Sequence, residues 1–267
     1  MIRQRVISAV VIAALLIAAV LWLPRWWSAG ALTLVLVLAA WEWSGFLGAG
    51  AVTRRAVFLV LTALAAALWW WVSASTGGLR MTLWLALLFW TAMLLWVFWR
   101  PQASRAGVFL VGVLALSLAW CALVRMRVDW TLGGHAVMYA LLVVWVADSG
   151  AYFSGRAWGD RKLAPSVSPG KTWAGMWGGL AACALLGLLV AVLAGLPAVP
   201  FVAVTVAVGA YSVVGDLVES LCKRFAGLKD SGTLIPGHGG VLDRFDSLLA
   251  AAPLLMLGIE LAGAAWR

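Results

Sequence analysis

Residues 173–195 read WAGMWGGLAACALLGLLVAVLAG, 23 residues without a single charge. At a rise of about 1.5 Å per residue, a helix of that length covers the roughly 30 Å hydrocarbon core of a bilayer. Runs of the same kind flank it, at roughly 5–23, 30–48, 56–74, 81–99, 106–124, 135–154, 199–214 and 247–265. The pattern predicts an all-α polytopic membrane protein with about nine transmembrane helices. Composition agrees. The chain of 267 residues is 65% hydrophobic and 11% charged, with a mean hydropathy of +1.03. A soluble domain of this length is about half apolar. The first run begins too near the N-terminus, and is too long, for a typical signal peptide. It also lacks an A-x-A-type cleavage site followed by a soluble domain, so it is expected to be a retained helix.

The net charge is +9. With nine spans, the N-terminus and the loops after spans 2, 4, 6 and 8 share one side, and 14 of the 19 lysines and arginines fall there. Arg25, Arg80, Arg125, Arg127 and Arg267 fall on the other. The positive-inside rule makes the richer side cytoplasmic, with the N-terminus inside and the C-terminus outside. A missed span would scramble that asymmetry. The positive charge is thus read as topology, and no nucleic acid is expected. Tryptophans cluster near span ends, at Trp22, Trp26 and Trp27 and at Trp69, Trp70 and Trp71, as interfacial anchors do. Cys121, Cys183 and Cys222 are scattered, with no C-x-x-C pair, and predict neither a disulfide nor a zinc site.

The chain reads as one domain, 1–267, without an internal repeat. Residues 1–134 are mainly scaffold helices. Their polar exception is Glu42, in WEWSG. A carboxyl in a span is a functional candidate by default, but the flanking Trp41 and Trp43 also allow an interfacial or packing role. Residues 135–267 carry two polar segments, 148–172 and 215–247, both cytoplasmic in this topology.

In the first segment Asp148 follows an apolar run, where an isolated carboxylate needs a partner, water or metal. Gly150, Gly155 and Gly159 permit tight turns. Ser166, Ser168, Lys171 and Thr172 surround Pro169-Gly170 just before span 7. Hydroxyls, backbone N–H groups and a lysine at a helix N-terminus suit an anion. The SPGKT stretch lacks the G-x-x-x-x-G-K-[ST] spacing and preceding strand of a P-loop.

The second segment begins as a predicted helical extension of span 8. Asp216, Glu219 and Lys223 are spaced i, i+3, i+7 and share a face. Lys229 to Gly232 are expected to end that helix, and residues 236–240, PGHGG, to form a loop. Asp243 and Asp246 then lie three apart, on one side of any helix that starts there. Holding Asp216, Asp243 and Asp246 together requires a cation. Oxygen ligands without thiolates or a histidine pair favour Mg²⁺ over zinc. Lys223, Arg224, Lys229 and Arg244 would neutralise phosphates, and Gly237, Gly239 and Gly240 would let backbone N–H groups approach an anion. Acids for metal beside bases for phosphate make a phosphoryl or nucleotidyl transfer site. A solvated, salt-bridged face would not explain this clustering with glycines.

Residues 220–246, SLCKRFAGLKDSGTLIPGHGGVLDRFD, resemble the signature of the phosphatidate cytidylyltransferase, or CDP-diacylglycerol synthase, family: Ser, then K-R, K-D, H-G-G and D-R-x-D. The upstream DSGAYF and KLAP…SPGKTW stretches are similar to that family too, so the resemblance covers about 140–250. It implies an integral membrane enzyme that joins CTP and phosphatidic acid to give CDP-diacylglycerol and pyrophosphate, with a divalent metal on Asp216, Asp243 and Asp246. A second cation is left open. Asp148, Ser168, Lys171, Thr172, Lys229, Asp230, Gly239, Gly240 and Arg244 are expected to contact substrate. Lys223, Arg224 and His238 are expected to take part in catalysis, His238 by orienting a phosphate, carrying a proton, or shaping the turn. Ala174 and Ser166 stand where family members often carry other side chains. The bilayer of a bacterial inner membrane is the expected location, and a homodimer is left open. A CTP-dependent lipid kinase is the rival enzyme. A transporter would instead show inverted repeats and charges at mid-membrane.

Overall fold

The computed structural model describes residues 2–48, 52–99, 103–234 and 239–262, the side chains of 2–10 and 12 excepted. In chain order the elements are α1 (Ile2–Leu21), α2 (Arg25–Gly45), α3 (Val52–Val72), α4 (Thr76–Phe98), α5 (Arg105–Asp129), α6 (Gly133–Trp158), β1 (Lys162–Ala164), β2 (Ser168–Thr172), α7 (Trp173–Ala194), α8 (Ala198–Phe225) and α9 (Leu242–Ala262). Among the described residues eight helices, α2 to α9, are long and apolar enough to cross a membrane, and α1 corresponds to the first predicted run. The protein is an all-α polytopic membrane protein. Among the described residues the chain also forms an antiparallel hairpin, β1–β2, which pairs Lys162 with Thr172 and Ala164 with Ser168.

The last helix is the central post. Nearly every side chain of α9 from Leu242 to Glu260 is buried, against α8, α5, α4, α6 and α2. A helix apolar on all faces belongs inside, and the small residues Ala250, Ala251 and Ala252 give its neighbours room. By contrast α3 buries only Phe58 and Thr62, so its remaining surface faces outward. Helices in lipid associate largely through small residues that let backbones approach. Gly215 on α8 shows this: a Cβ there would lie 2.6 Å from the carbonyl oxygen of Asp246. On the α6–α7 pair, a Cβ on Gly150 would lie 2.9 Å from the Gly178 carbonyl, and one on Gly179 2.7 Å from that of Ala147.

Three boundaries differ from the sequence reading, each for a local reason. The segment at 148–172 is not a loop throughout: α6 runs on to Trp158, and 162–172 fold back as the hairpin. Thr172 then caps α7 by accepting a hydrogen bond from the Gly175 N–H at 3.1 Å. Helix α8 stops at Phe225 rather than at 229–232, because Gly227 takes a left-handed φ of +70°. The Gly227 N–H donates to the Arg224 carbonyl and the Leu228 N–H to that of Lys223, at 3.0 and 2.9 Å, the paired bonds that close a helix C-terminus. Helix α9 starts at Leu242 rather than 247, which puts Asp243 and Asp246 inside its first turns.

The loop ends assigned to one side by alternation do meet. The C-terminal end of α2 touches the residues before α9, and the segment before α7 touches α8. At the opposite end Arg25 donates to the Val128 carbonyl, and Arg127 to the Ser28 hydroxyl and the Leu23 carbonyl. There Arg125 is buried between Ser73, Asp129 and the Trp70 ring.

Candidate active site

The site is built first from two turns of α8. Asp216, Glu219, Ser220 and Lys223 line one face, as their spacing requires. The Ser220 hydroxyl donates to Asp216 Oδ1 at 3.2 Å. The Lys223 ammonium pairs with Glu219 one turn back and reaches across to Asp243 Oδ1 at 2.7 Å. The close approach at Gly215 brings α9 alongside. Asp246, 9% exposed, thereby comes within electrostatic range of Asp216, Glu219 and Lys171, while the Ser247 N–H donates to its Oδ1 at 2.6 Å.

The loop ahead of α9 closes over this cluster. Asp243 Oδ2 accepts from the Ser231 N–H at 3.0 Å and from the Gly240 N–H at 2.8 Å. Gly239 adopts a φ of +82°, and a Cβ there would lie 2.8 Å from Asp243 Oδ2, so glycine is required twice over. A third element enters from far away in sequence. Glu42 on α2 is 5% exposed. Its carboxylate accepts from the Leu242 N–H at 2.7 Å, the Val241 N–H at 3.0 Å and the Ser231 hydroxyl at 3.1 Å.

The hairpin side completes the site. The Lys171 ammonium lies 2.8 Å from Asp216 Oδ2, joining the two polar segments. Beside that ion pair opens a cavity of about 280 Å³, lined by Asp148, Tyr152, Gly155, Arg156, Lys171 and Thr172 among others. Asp148 is in electrostatic contact with both Asp216 and Lys171.

Of the residues singled out from sequence, Asp148, Lys171, Asp216, Lys223, Asp243 and Asp246 come together. Gly239 and Gly240 flank them, with the Gly240 N–H bonded to Asp243 as described. Arg224, Lys229, Asp230 and Arg244 are exposed around the rim, and Arg224 donates to the Leu228 carbonyl at 3.1 Å. Ser168 is half-buried in β2. Thr172 lines the cavity, with its hydroxyl engaged in capping α7. His238 and Gly237 lie outside the described residues.

Among the described residues no three His, Cys, Asp or Glu side chains are grouped as a ready metal cage. The Asp243 oxygens are taken by Lys223 and two backbone N–H groups, and Asp216 by Lys171. The donor set still suits a hard divalent cation: it is carboxylate oxygen throughout. Glu219 is fully buried; its Oε2 is met by the Lys223 ammonium, and its Oε1 has no hydrogen-bond partner among the described residues. A buried carboxylate so sparsely served is unfavourable without further positive charge.

Sequence reasoning did not assign Glu219, Ser231 or Glu42 to the site. The position of Glu219 on the face of Asp216 and Lys223 was a usable signal. For Glu42 the signal was an unpaired carboxyl in an apolar span, but its partners lie 189 to 200 residues away.

Residues 3–262 match the sequence model of the Cytidylyltransferase family. The chain is 37% identical over 285 residues to phosphatidate cytidylyltransferase of Haemophilus influenzae, covering 95% of this chain and 96% of that protein. It is 38% identical over 284 residues to phosphatidate cytidylyltransferase of Pseudomonas aeruginosa, with 98% of each chain covered. A shorter stretch of 155 residues is 50% identical to the protein of the same name in Brucella suis, covering 57% of this chain and 55% of that one. With the match running from α1 to α9 and the acid–base cluster at one end of the bundle, the chain belongs to the cytidylyltransferase family of membrane enzymes.

Proposed function

We propose that this enzyme transfers CMP from CTP to phosphatidic acid, giving CDP-diacylglycerol and pyrophosphate, at a Mg²⁺-dependent site on the cytoplasmic face of a bacterial inner membrane. The observation that carries the reading is the Lys171–Asp216 ion pair. It ties the basic hairpin to the carboxylates of α8 and α9, beside a cavity where Asp148, Arg156, Lys171 and Thr172 stand among apolar residues such as Leu163, Met176 and Val213.

In the transfer, a phosphatidate oxygen forms a bond to the α-phosphorus of CTP, and the bond from that phosphorus to the β-phosphate bridging oxygen breaks. Pyrophosphate carries away the electron pair. The attacking phosphate is already ionised near neutral pH, so no strong base is required. Lys171 and Lys223 sit within the carboxylate cluster and are placed to hold phosphate oxygens. Exposed Arg224, Lys229 and Arg244 raise the local concentration of a triphosphate at the rim. Asp216, Asp243 and Asp246, with Glu219 beside them, would hold Mg²⁺. Bound there, the ion would withdraw charge from phosphate oxygens. The spans let the acyl tails remain in lipid while the head group meets the cluster. Cytoplasmic placement is supported by the basic residues gathered at this end.

The test is turnover by purified protein in detergent, with phosphatidic acid and CTP labelled at the α or the γ position, with and without Mg²⁺, for wild type and Asp246→Asn. Lipid should acquire the α label only, and lose it without Mg²⁺ or in the variant. Label from the γ position would make the enzyme a lipid kinase. No labelled lipid from folded protein would overturn the reading.

A further inference from the structure

We infer that Glu42, in the half of the chain that looks like scaffold, is a positioning residue for the active site: it caps α9 from outside and fixes the loop that presents Asp243 to Lys223. The inference rests on reading the 215–247 segment as the active site.

Helix α9 begins with N–H groups that have no partner within the helix. A preceding Ser, Thr, Asp or Asn usually meets them. Here Gly240 and Val241 precede Leu242, and neither has a side chain that can accept. Glu42 supplies the missing acceptor, one oxygen to the Val241 N–H and the other to the Leu242 N–H. A carboxylate at a helix N-terminus also meets the positive end of the helix dipole. The side chain is walled in as well: a Cβ on Gly232 or on Gly240 would collide with its carboxylate. Two glycines of the loop thus leave room for this one side chain.

The contact passes on to the site through Ser231. Its hydroxyl donates to Glu42, accepts from the Asp243 N–H at 3.3 Å, and its own N–H donates to Asp243. Asp243 in turn pairs with Lys223. Glu42 therefore fixes both ends of the 231–242 loop, though it touches neither phosphate-binding lysine.

The experiment compares Glu42→Gln, Ser231→Ala, the double variant, and Trp43→Phe as a control. Trp43 neighbours Glu42 but bonds elsewhere, to the Val108 carbonyl. Glutamine keeps the shape of Glu42 and replaces one acceptor by a donor facing the α9 N–H groups. We expect Glu42→Gln to lower kcat about tenfold or more, as loss of hydrogen bonds to a charged group does, with the KM for CTP changed less. Backbone amides of 229–243 should exchange at least about tenfold faster, with the other helices unchanged. Ser231→Ala should add little to Glu42→Gln, since both break one network. A kcat within twofold of wild type, or unchanged exchange in the loop, would overturn the inference. So would an equal kcat loss in Trp43→Phe. The exchange measurement stands apart from turnover: an inactive wild type would sink the proposed reaction, and loop exchange unchanged in Glu42→Gln would still overturn the role of Glu42.

Discussion

Gly215→Ala is the sharpest test of how the carboxylates are brought together. The added Cβ would lie 2.6 Å from the Asp246 carbonyl oxygen, 3.2 Å from Ser247 Cα and 3.3 Å from the Ser247 carbonyl oxygen. All three are backbone atoms of α9, so no side chain can swing aside. An ordinary contact of about 3.4 Å then requires α8 and α9 to part by roughly 0.8 Å. Asp216 and Lys223 sit on one helix, Asp243 and Asp246 on the other, so the whole cluster widens by that amount. Misplacement on the order of 1 Å lowers turnover by about a hundredfold, and overpacking costs about 1–3 kcal/mol. Against this, alanine favours a helix over glycine by about 1 kcal/mol. Gly30→Ala on α2 isolates that smaller effect, since nothing lies within 4 Å of a Cβ there. Measured as α-labelled CMP incorporation and thermal unfolding in detergent, Gly215→Ala should lose about ten- to a hundredfold in kcat and melt lower. Gly30→Ala should match or exceed wild type in both. A Gly215→Ala enzyme within threefold of wild-type kcat would refute the close-packed seam as the device that assembles the site.

Lys171→Met should leave unfolding nearly unchanged, because both partners of its ion pair are about a quarter exposed and such pairs contribute only about 0–1 kcal/mol. Its kcat should nonetheless fall at least tenfold in the same labelling assay, as Lys171 is the link between the two polar segments. Arg125→Leu should do the reverse. Removing it strips donors from Ser73, the Trp70 carbonyl and Asp129 and a cation from the Trp70 ring 3.7 Å away. Loss of that buried network should lower the melting temperature by several degrees, while kcat at low temperature stays within about twofold, since the cluster lies at the far end of the bundle.

Hydrophobic runs made the spans legible, because lipid leaves a chain of this composition almost no structure but helices. The charges at 215–247 were legible as a site because Asp216 and Lys223 repeat at helical spacing and Asp243 and Asp246 follow a glycine-rich turn. The start of α9 was not. No Ser, Thr, Asp or Asn stands just before Leu242 to cap it; the capping carboxylate belongs to α2. The end of α8 was misplaced because Lys229-Asp230-Ser231-Gly232 looks like a terminator, whereas Gly227 already supplies the left-handed residue. The hairpin at 162–172 went unread since three- and five-residue strands carry too little alternation to stand out.

The sequence reading sets a scaffold half beside a site half, and the packing of the helices crosses that line. In water, an N-terminal bundle and a C-terminal one could each bury its own core. Here the most buried helix is the last, and it is packed by α2, α4 and α5 as well as by α6 and α8. The carboxylates of its first turn keep their places beside Lys223 only if that turn is held, and Glu42, from the first half, accepts hydrogen bonds from the Val241 and Leu242 N–H groups at its start. Repulsion among Asp216, Glu219, Asp243 and Asp246 pushes the other way, opposed by the ammonium groups of Lys171 and Lys223. If Glu42 positions the site as inferred, the early spans act on it indirectly, by fixing the backbone against which those charges are balanced.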